Sequence, residues 1–240
     1  VGEPTGTNGV TVLGCLSEDA FADPAAVAAS PWLRGVGRLL DCQNGHRVGP
    51  RPGKQIDPLL VGRVLVIGED ADLAAVALRL LRTDGLGSVE LAYVSRLPTA
   101  FTAARRLPTG PAGLRTAGQG VATPTTLLRD DSGGVLLAEG IIAPITGLVY
   151  ADEHRLLAGP ATRLLVRPDD LDSKGLTVTV TRRRRFGVFG GGSGTTAARA
   201  VQVTGEPMTP TLDGVVRPRP VTTWIWYRHT EPLLLVRAQP

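Results

Sequence analysis

The sequence predicts an α/β N-terminal domain built on a parallel sheet, followed by a C-terminal all-β, sandwich-like domain. Three observations predict it. Between residues 10 and 108, short apolar runs alternate with amphipathic stretches, the strand–helix–strand–helix order of a parallel sheet with helices on its faces. After 108 the helical period fades, and short segments punctuated by Gly and Pro take over. The chain has 240 residues, 42% hydrophobic and 20% charged, which suffices for two domains and is globular rather than disordered. The expected boundary gives domains 1–108 and 109–240.

The elements follow in order. Residues 10–16 read as a first strand. Asp23 then Pro24 is a cap with Pro at the first helical position, opening a helix through Ala29. Ser30-Pro31 repeats the signal, and Trp32, Val36, Leu39 and Leu40 share a face of the next helix. Residues 43–58 read as a loop. Val64–Ile67 is a continuous apolar run, as a buried parallel strand requires. The helix after it places Leu73, Val76, Ala77, Leu80 and Leu81 on one stripe, and Asp84-Gly-Leu-Gly87 stops it. Val89–Val94 is a strand, and Pro98-Thr99 opens a short helix carrying Phe101, Ala104 and Leu107. Residues 109–120 are Gly-rich and irregular, with at most one short helix. Beyond them, 125–129 and 135–143 read as a hairpin, and 162–167, 176–181, 200–204, 221–228 and 233–237 as strands of the β-region. Leu176, Val178 and Val180 face one way. Trp224 and Trp226 share a face opposite Ile225 and Tyr227.

Several function classes drop out. No apolar run approaches the roughly 18–20 residues that span a bilayer, and residues 1–10 carry no basic-then-apolar signal pattern; the expected location is cytoplasmic or peripheral at a membrane. Two cysteines, Cys15 and Cys42, exclude a disulfide framework and a Cys-based zinc site. His46, His154 and His229 have no ligand spacing, and no Gly-x-Ser-x-Gly hydrolase signature occurs. Net charge is +4, which suits an anionic surface as well as an ordinary protein.

The candidate site is Gly68-Glu69-Asp70-Ala71-Asp72, between a strand and a helix. Such a loop points N–H groups at an anion and needs glycine for close backbone approach. Only Gly68 qualifies, while Glu69, Asp70 and Asp72 bring carboxylates. One like charge at about 4 Å costs about 4 kcal/mol at an effective dielectric near 20, about a thousandfold in affinity. Asp70 or Asp72 could cap the helix instead, or the two could hold Mg²⁺.

The order strand, G-x-D-x-x, long helix, strand, short Phe-bearing helix and β-rich half resembles the diacylglycerol kinase catalytic-domain family, relatives of NAD kinases and sphingosine kinases. Gly68–Asp72 stands where that family carries Gly-Gly-Asp-Gly-Thr. Val94–Thr102 stands at its Pro-Leu-Gly-Thr-Gly-Asn-Asp-Phe-Ala motif, with Phe101 on the family Phe and Arg96, Leu97, Pro98 and Thr99 in the facing loop. Arg167–Leu176 resembles its Ala-Pro-Asp-Ala…Asp-Asp-Gly-Leu segment, and Leu212-Asp213-Gly214 its late Val-Asp-Gly turn. The family's base carboxylate falls at Ser173 or Lys174, with Asp172 nearest. Phosphoryl transfer depends on positioning and charge stabilisation. The altered loops and base therefore imply a catalytically degenerate relative with no cofactor, binding a lipid, another ligand or a protein partner, a second copy included. The alternative is an active lipid kinase using ATP and Mg²⁺, with Asp172 as base. Glu69 and Arg96 are expected to pair where phosphates would lie. Arg182, Arg183, Arg184 and Arg185, beside Phe186 and Phe189, suit an anionic membrane or partner; nucleic acid is the weaker reading.

Overall fold

A computed structural model describes residues 9–17, 23–171, 173–182 and 193–238. The chain divides into two compact units, Val1–Pro124 with Leu233–Pro240, and Thr125–Pro232. This corrects the expected boundary at 108 in two ways. The first unit runs on to 124, and it recovers the C-terminal strand.

The first unit holds strands β1 (Thr11–Gly14), β2 (Gly45–Arg47), β3 (Arg63–Ile67), β4 (Glu90–Val94) and β5 (Val121–Thr125), with helices α1 (Pro24–Ala29), α2 (Pro31–Leu40), α3 (Asp70–Arg82), α4 (Ala100–Arg105) and α5 (Gly110–Gln119). Its sheet runs β2-β1-β3-β4, then the C-terminal strand Leu233–Arg237, then β5. β1 pairs in parallel with β2 and β3, and β4 with β3 and the C-terminal strand. That last strand was expected in the β-region. Its Leu233, Leu235 and Val236 are buried, as in a strand covered on both faces.

Local chemistry sets the helices. Asp23 caps α1 by accepting the Ala25 N–H at 2.9 Å, and Pro31 is the first residue of α2. Trp32, Leu33, Val36 and Leu40 of α2 pack with Val12, Leu65, Val94 and Ala117 in one core. Leu33 thus takes the place expected of Leu39. α3 buries Leu73, Val76, Ala77 and Leu80, while Leu81 is half-buried. Asp84, at φ 54°, closes α3, and the Gly85 N–H reaches back to Leu80 O at 2.8 Å, so the left-handed position falls on Asp84 and not on a glycine. The expected loop at 43–58 contains β2 and a 3₁₀ turn, Lys54–Leu59, which Asp57 ties to Arg79 of α3 through two bonds of 2.6–2.7 Å. Arg63 holds the end of α5 by donating to Ala117, Gly118 and Gly120 carbonyls at 3.1–3.2 Å; a guanidinium suits the negative end of a helix.

The second unit is antiparallel. One sheet orders β10 (His154–Ala161), β9 (Ile145–Ala151), β14 (Ala200–Met208), β17 (Val221–Arg228), β6 (Leu128–Asp130) and β7 (Val135–Leu136). The other orders β13 (Ser193–Ala198), β12 (Leu176–Thr181), β11 (Arg163–Pro168), β8 (Gly140–Ile142), β15 (Thr211–Leu212) and β16 (Val215–Val216). Their inner faces share one core around Trp224 and Trp226, whose rings meet edge-to-face at 5.9 Å. The stretch 135–143 is not one strand. It breaks between β7 and β8 because Asp213 accepts the N–H groups of Leu137, Ala138 and Glu139 at 2.8–3.0 Å.

Candidate functional site at the carboxyl ends of the parallel strands

The chain leaves β1, crosses to β2 on one side, and returns to β3 on the other. The sheet order therefore reverses between β1 and β3, where open α/β sheets bind ligands outside the carboxyl ends of their strands. Cys15 and Gly68 lie at that point, the Cys15 N–H bonded to Ile67 O at 2.9 Å. The turn singled out from sequence thus begins at the switch point of the sheet.

Its carboxylates are engaged by the protein. Asp72, 4% exposed, accepts the Glu69 N–H at 2.8 Å on one oxygen and the Arg51 N–H at 2.6 Å on the other. The first bond caps α3. Asp70 accepts the Phe101 N–H at 3.0 Å and faces the Tyr93 hydroxyl at 3.1 Å, a hydroxyl also 3.1 Å from Gly68 O. Phe101 lies in the first turn of α4, so one acidic side chain of the 68–72 turn reaches the start of the next helix. Both carboxylates sit at N–H groups of helix starts, which favour negative charge. Gly68 has a steric reason: a Cβ there would collide with the Asp72 carboxylate and come within 3.0 Å of Cys15 Cβ. Burial, and secondarily the Asp72 charge, push the Cys15 thiol well above its ordinary pKa. Burial first, then Asp70, raise the Tyr93 phenol likewise.

The facing loop is braced too. Ser95 Oγ donates to Leu97 O at 2.8 Å, and Thr99 caps α4 by exchanging bonds with Thr102. Pro98 and Arg96 are exposed, and Leu97 is 67% exposed. The expected Glu69–Arg96 ion pair is not formed: among the described residues neither side chain has an ion-pair partner. The reason is geometric, since the Glu69 main chain is engaged by Asp72 while its side chain, like that of Arg96, stands at the exposed surface. Ala71 is half-buried in the first turn of α3. Among the described residues no three His, Cys, Asp or Glu side chains come together as a metal-sized group.

Asp172, Arg183–Arg185, Phe186 and Phe189 lie outside the described residues. Arg182 donates to the Leu156 carbonyl. Beside Asp172, Asp170 accepts the Thr126 N–H at 2.7 Å, and Leu171 is 97% exposed. Sequence reasoning missed Tyr93, Arg51 and Cys15. The polar Tyr in an apolar strand was the one available signal; Arg51 and Cys15 carried none.

No family model matches the sequence, and no curated protein matches it either. Solved structures do. The chain has the fold shared by diacylglycerol kinases and NAD kinases. It is similar to a diacylglycerol kinase from Bacillus anthracis str. Sterne, at 12% identity and TM-score 0.61 over 95% of this chain and 96% of that one. It is also similar to an NAD kinase from Archaeoglobus fulgidus in complex with ATP, at 10% identity and TM-score 0.57 over 96% and 94%. A yeast NADH kinase complexed with NADH matches at 9% identity and TM-score 0.55 over 100% and 89%. The fold expected from the motif resemblance is thus the observed one.

Proposed function

We propose that this is a diacylglycerol-kinase-like protein that has lost phosphoryl transfer and works by binding a lipid, another ligand or a protein partner. One observation carries the reading: Asp70 and Asp72 are turned onto main-chain N–H groups of the 68–72 turn, of Arg51 and of Phe101. An incoming phosphate would find those donors engaged and the carboxylates repelling it. A cation at Asp70 and Asp72 would share its carboxylate oxygens with those N–H donors, which disfavours Mg²⁺ there. The test is calorimetric titration with ATP and Mg²⁺, paired with an assay for phosphate transfer to lipid hydroxyls in mixed vesicles. No binding at millimolar ATP supports the proposal, and micromolar binding with transfer overturns it in favour of an ATP-dependent lipid kinase.

The same proposal places the protein in the cytoplasm, meeting anionic membranes through Arg182–Arg185 with Phe186 and Phe189. What supports this is composition, four arginines beside two aromatics. Among the described residues no helix is long and apolar enough to cross a membrane. Sedimentation with phosphatidylserine vesicles, lost on Arg→Ala at the four positions, is the expected outcome.

A further inference from the structure

The segment 48–53 crosses the carboxyl ends of the strands at the point where the sheet order reverses. Leaving β2, it is fixed at Val48, whose N–H donates to Gly14 O at 3.0 Å at the end of β1. It is fixed again at Arg51, whose N–H donates to Asp72 Oδ1 at 2.6 Å at the start of α3. Beyond it the 3₁₀ turn is anchored to α3 through Asp57 and Arg79. Three features mark it as a closed strap rather than an ordinary loop. Gly49 turns it at φ 73°, and Arg51 holds φ 47°, a region that non-glycine residues enter at a cost. Pro52 is buried while its neighbours Arg51 and Gly53 are exposed. Behind the strap, Asp72 is nearly inaccessible and Cys15 entirely so.

We propose that residues 48–53 form a strap shut over the β1/β3 switch point, latched by the Arg51 N–H on Asp72, and that a ligand reaches this end of the sheet only when the latch opens. The inference concerns access, so it stands whether or not phosphoryl transfer survives. The latch has one weak point. Its donor is a main-chain N–H held in a strained conformation, and its acceptor is a carboxylate already shared with the cap of α3. Anything that draws on Asp72 loosens the strap.

The two cysteines provide the assay. Cys42 is exposed, Cys15 is buried in the neighbourhood of the Asp72 carboxylate that accepts the latch bond, and neither is in a disulfide. With an aromatic disulfide reagent, Cys42 reacts promptly in every variant and serves as the internal reference. Arg51→Pro removes the N–H and cannot adopt a positive φ. Losing a hydrogen bond to a carboxylate makes Cys15 label about tenfold faster or more, beyond what the loss of urea stability accounts for. Arg51→Gly keeps the N–H and relieves the backbone, so its Cys15 labels no faster than in the parent protein. Asp72→Ala, which removes both acceptor oxygens, is read separately by hydrogen exchange of the 48–53 amides, which speeds up while the amides of β3 and β4 stay protected; this variant decides the matter if Arg51→Pro does not fold. The proposal is overturned if Cys15 labelling follows global stability in both Arg51 variants, if Arg51→Gly labels as fast as Arg51→Pro, or if Asp72→Ala leaves exchange at 48–53 unchanged.

Discussion

Asp213 in the second unit and Asp72 in the first are both 4% exposed, and both accept main-chain N–H groups. Asp213 accepts the N–H groups of the consecutive residues Leu137, Ala138 and Glu139, in one strand break. Asp72 takes two, and they come from separate segments, the 68–72 turn and the 48–53 strap. The Asp213 arrangement fixes the backbone of one strand break. The Asp72 arrangement joins two segments that could part without unfolding the sheet. A buried carboxylate serves stability where its donors are contiguous, and it serves as a joint where they are not.

The same substitution at both turns tests that contrast and carries the largest expected effect. Asp213→Ala strands three adjacent donors and is expected to cost about 3 kcal/mol or more in urea unfolding of the second unit. Asp72→Ala is expected to cost about 2 kcal/mol, with much of the effect appearing as local exchange at 48–53. Equal global losses with no local exchange would erase the distinction between the two turns.

How far the sequence reveals this depends on how local each signal is. Leu176–Thr181 and Val221–Arg228 alternate within themselves, and both strands stand where the pattern puts them. The C-terminal strand was legible as a strand but not as part of the parallel sheet. Its unbroken Leu233-Leu-Leu-Val236 run was the available clue, since strands covered on both faces do not alternate. α5 was legible only as at most one short helix in a Gly-rich stretch, because its glycines lower helix propensity. Gly113 is there because a Cβ would come 2.6 Å from Pro108 O and 3.1 Å from Val94, a close approach that no local pattern announces. At the candidate site, the capping role of Asp72 was readable from the spacing Glu69-x-x-Asp72. Its bond to Arg51 spans 21 residues and that of Asp70 to Phe101 spans 31, and such separations leave no period to read.

A smaller effect comes from the buried thiol beside Asp72. The fold favours the neutral form of Cys15, mainly through burial. In the unfolded chain the thiol ionises near pH 8.5, so its contribution is full below that pH and is lost as pH rises through the alkaline range. The slope is at most about 1.4 kcal/mol per pH unit. Urea unfolding at pH 7 to 10 should show this limb, and Cys15→Ala should flatten it until Tyr93, with the same sign, begins to contribute above about pH 10. An unchanged limb in Cys15→Ala would place the alkaline sensitivity elsewhere than the thiol beside Asp72.

The smallest expected effect is at Tyr93, and it asks whether Asp70 is a joint of the same kind as Asp72. The Tyr93 hydroxyl has one proton and two acceptors, Gly68 O and Asp70 Oδ1, each at 3.1 Å. Tyr93→Phe keeps the ring that packs edge-on against Phe101 at 5.6 Å and removes only that proton, so the expected loss is about 1 kcal/mol. The informative readout is the Phe101 amide, which donates to the other oxygen of Asp70. If the hydroxyl holds Asp70 against the start of α4, Phe101 exchanges faster in Tyr93→Phe while the Arg51 amide, bonded to Asp72, does not. Faster exchange at both would mean that the two aspartates move together and the turn opens as one piece. No change at either would leave Asp70 held by the helix start alone, and only the Asp72 latch would separate this turn from the one built on Asp213.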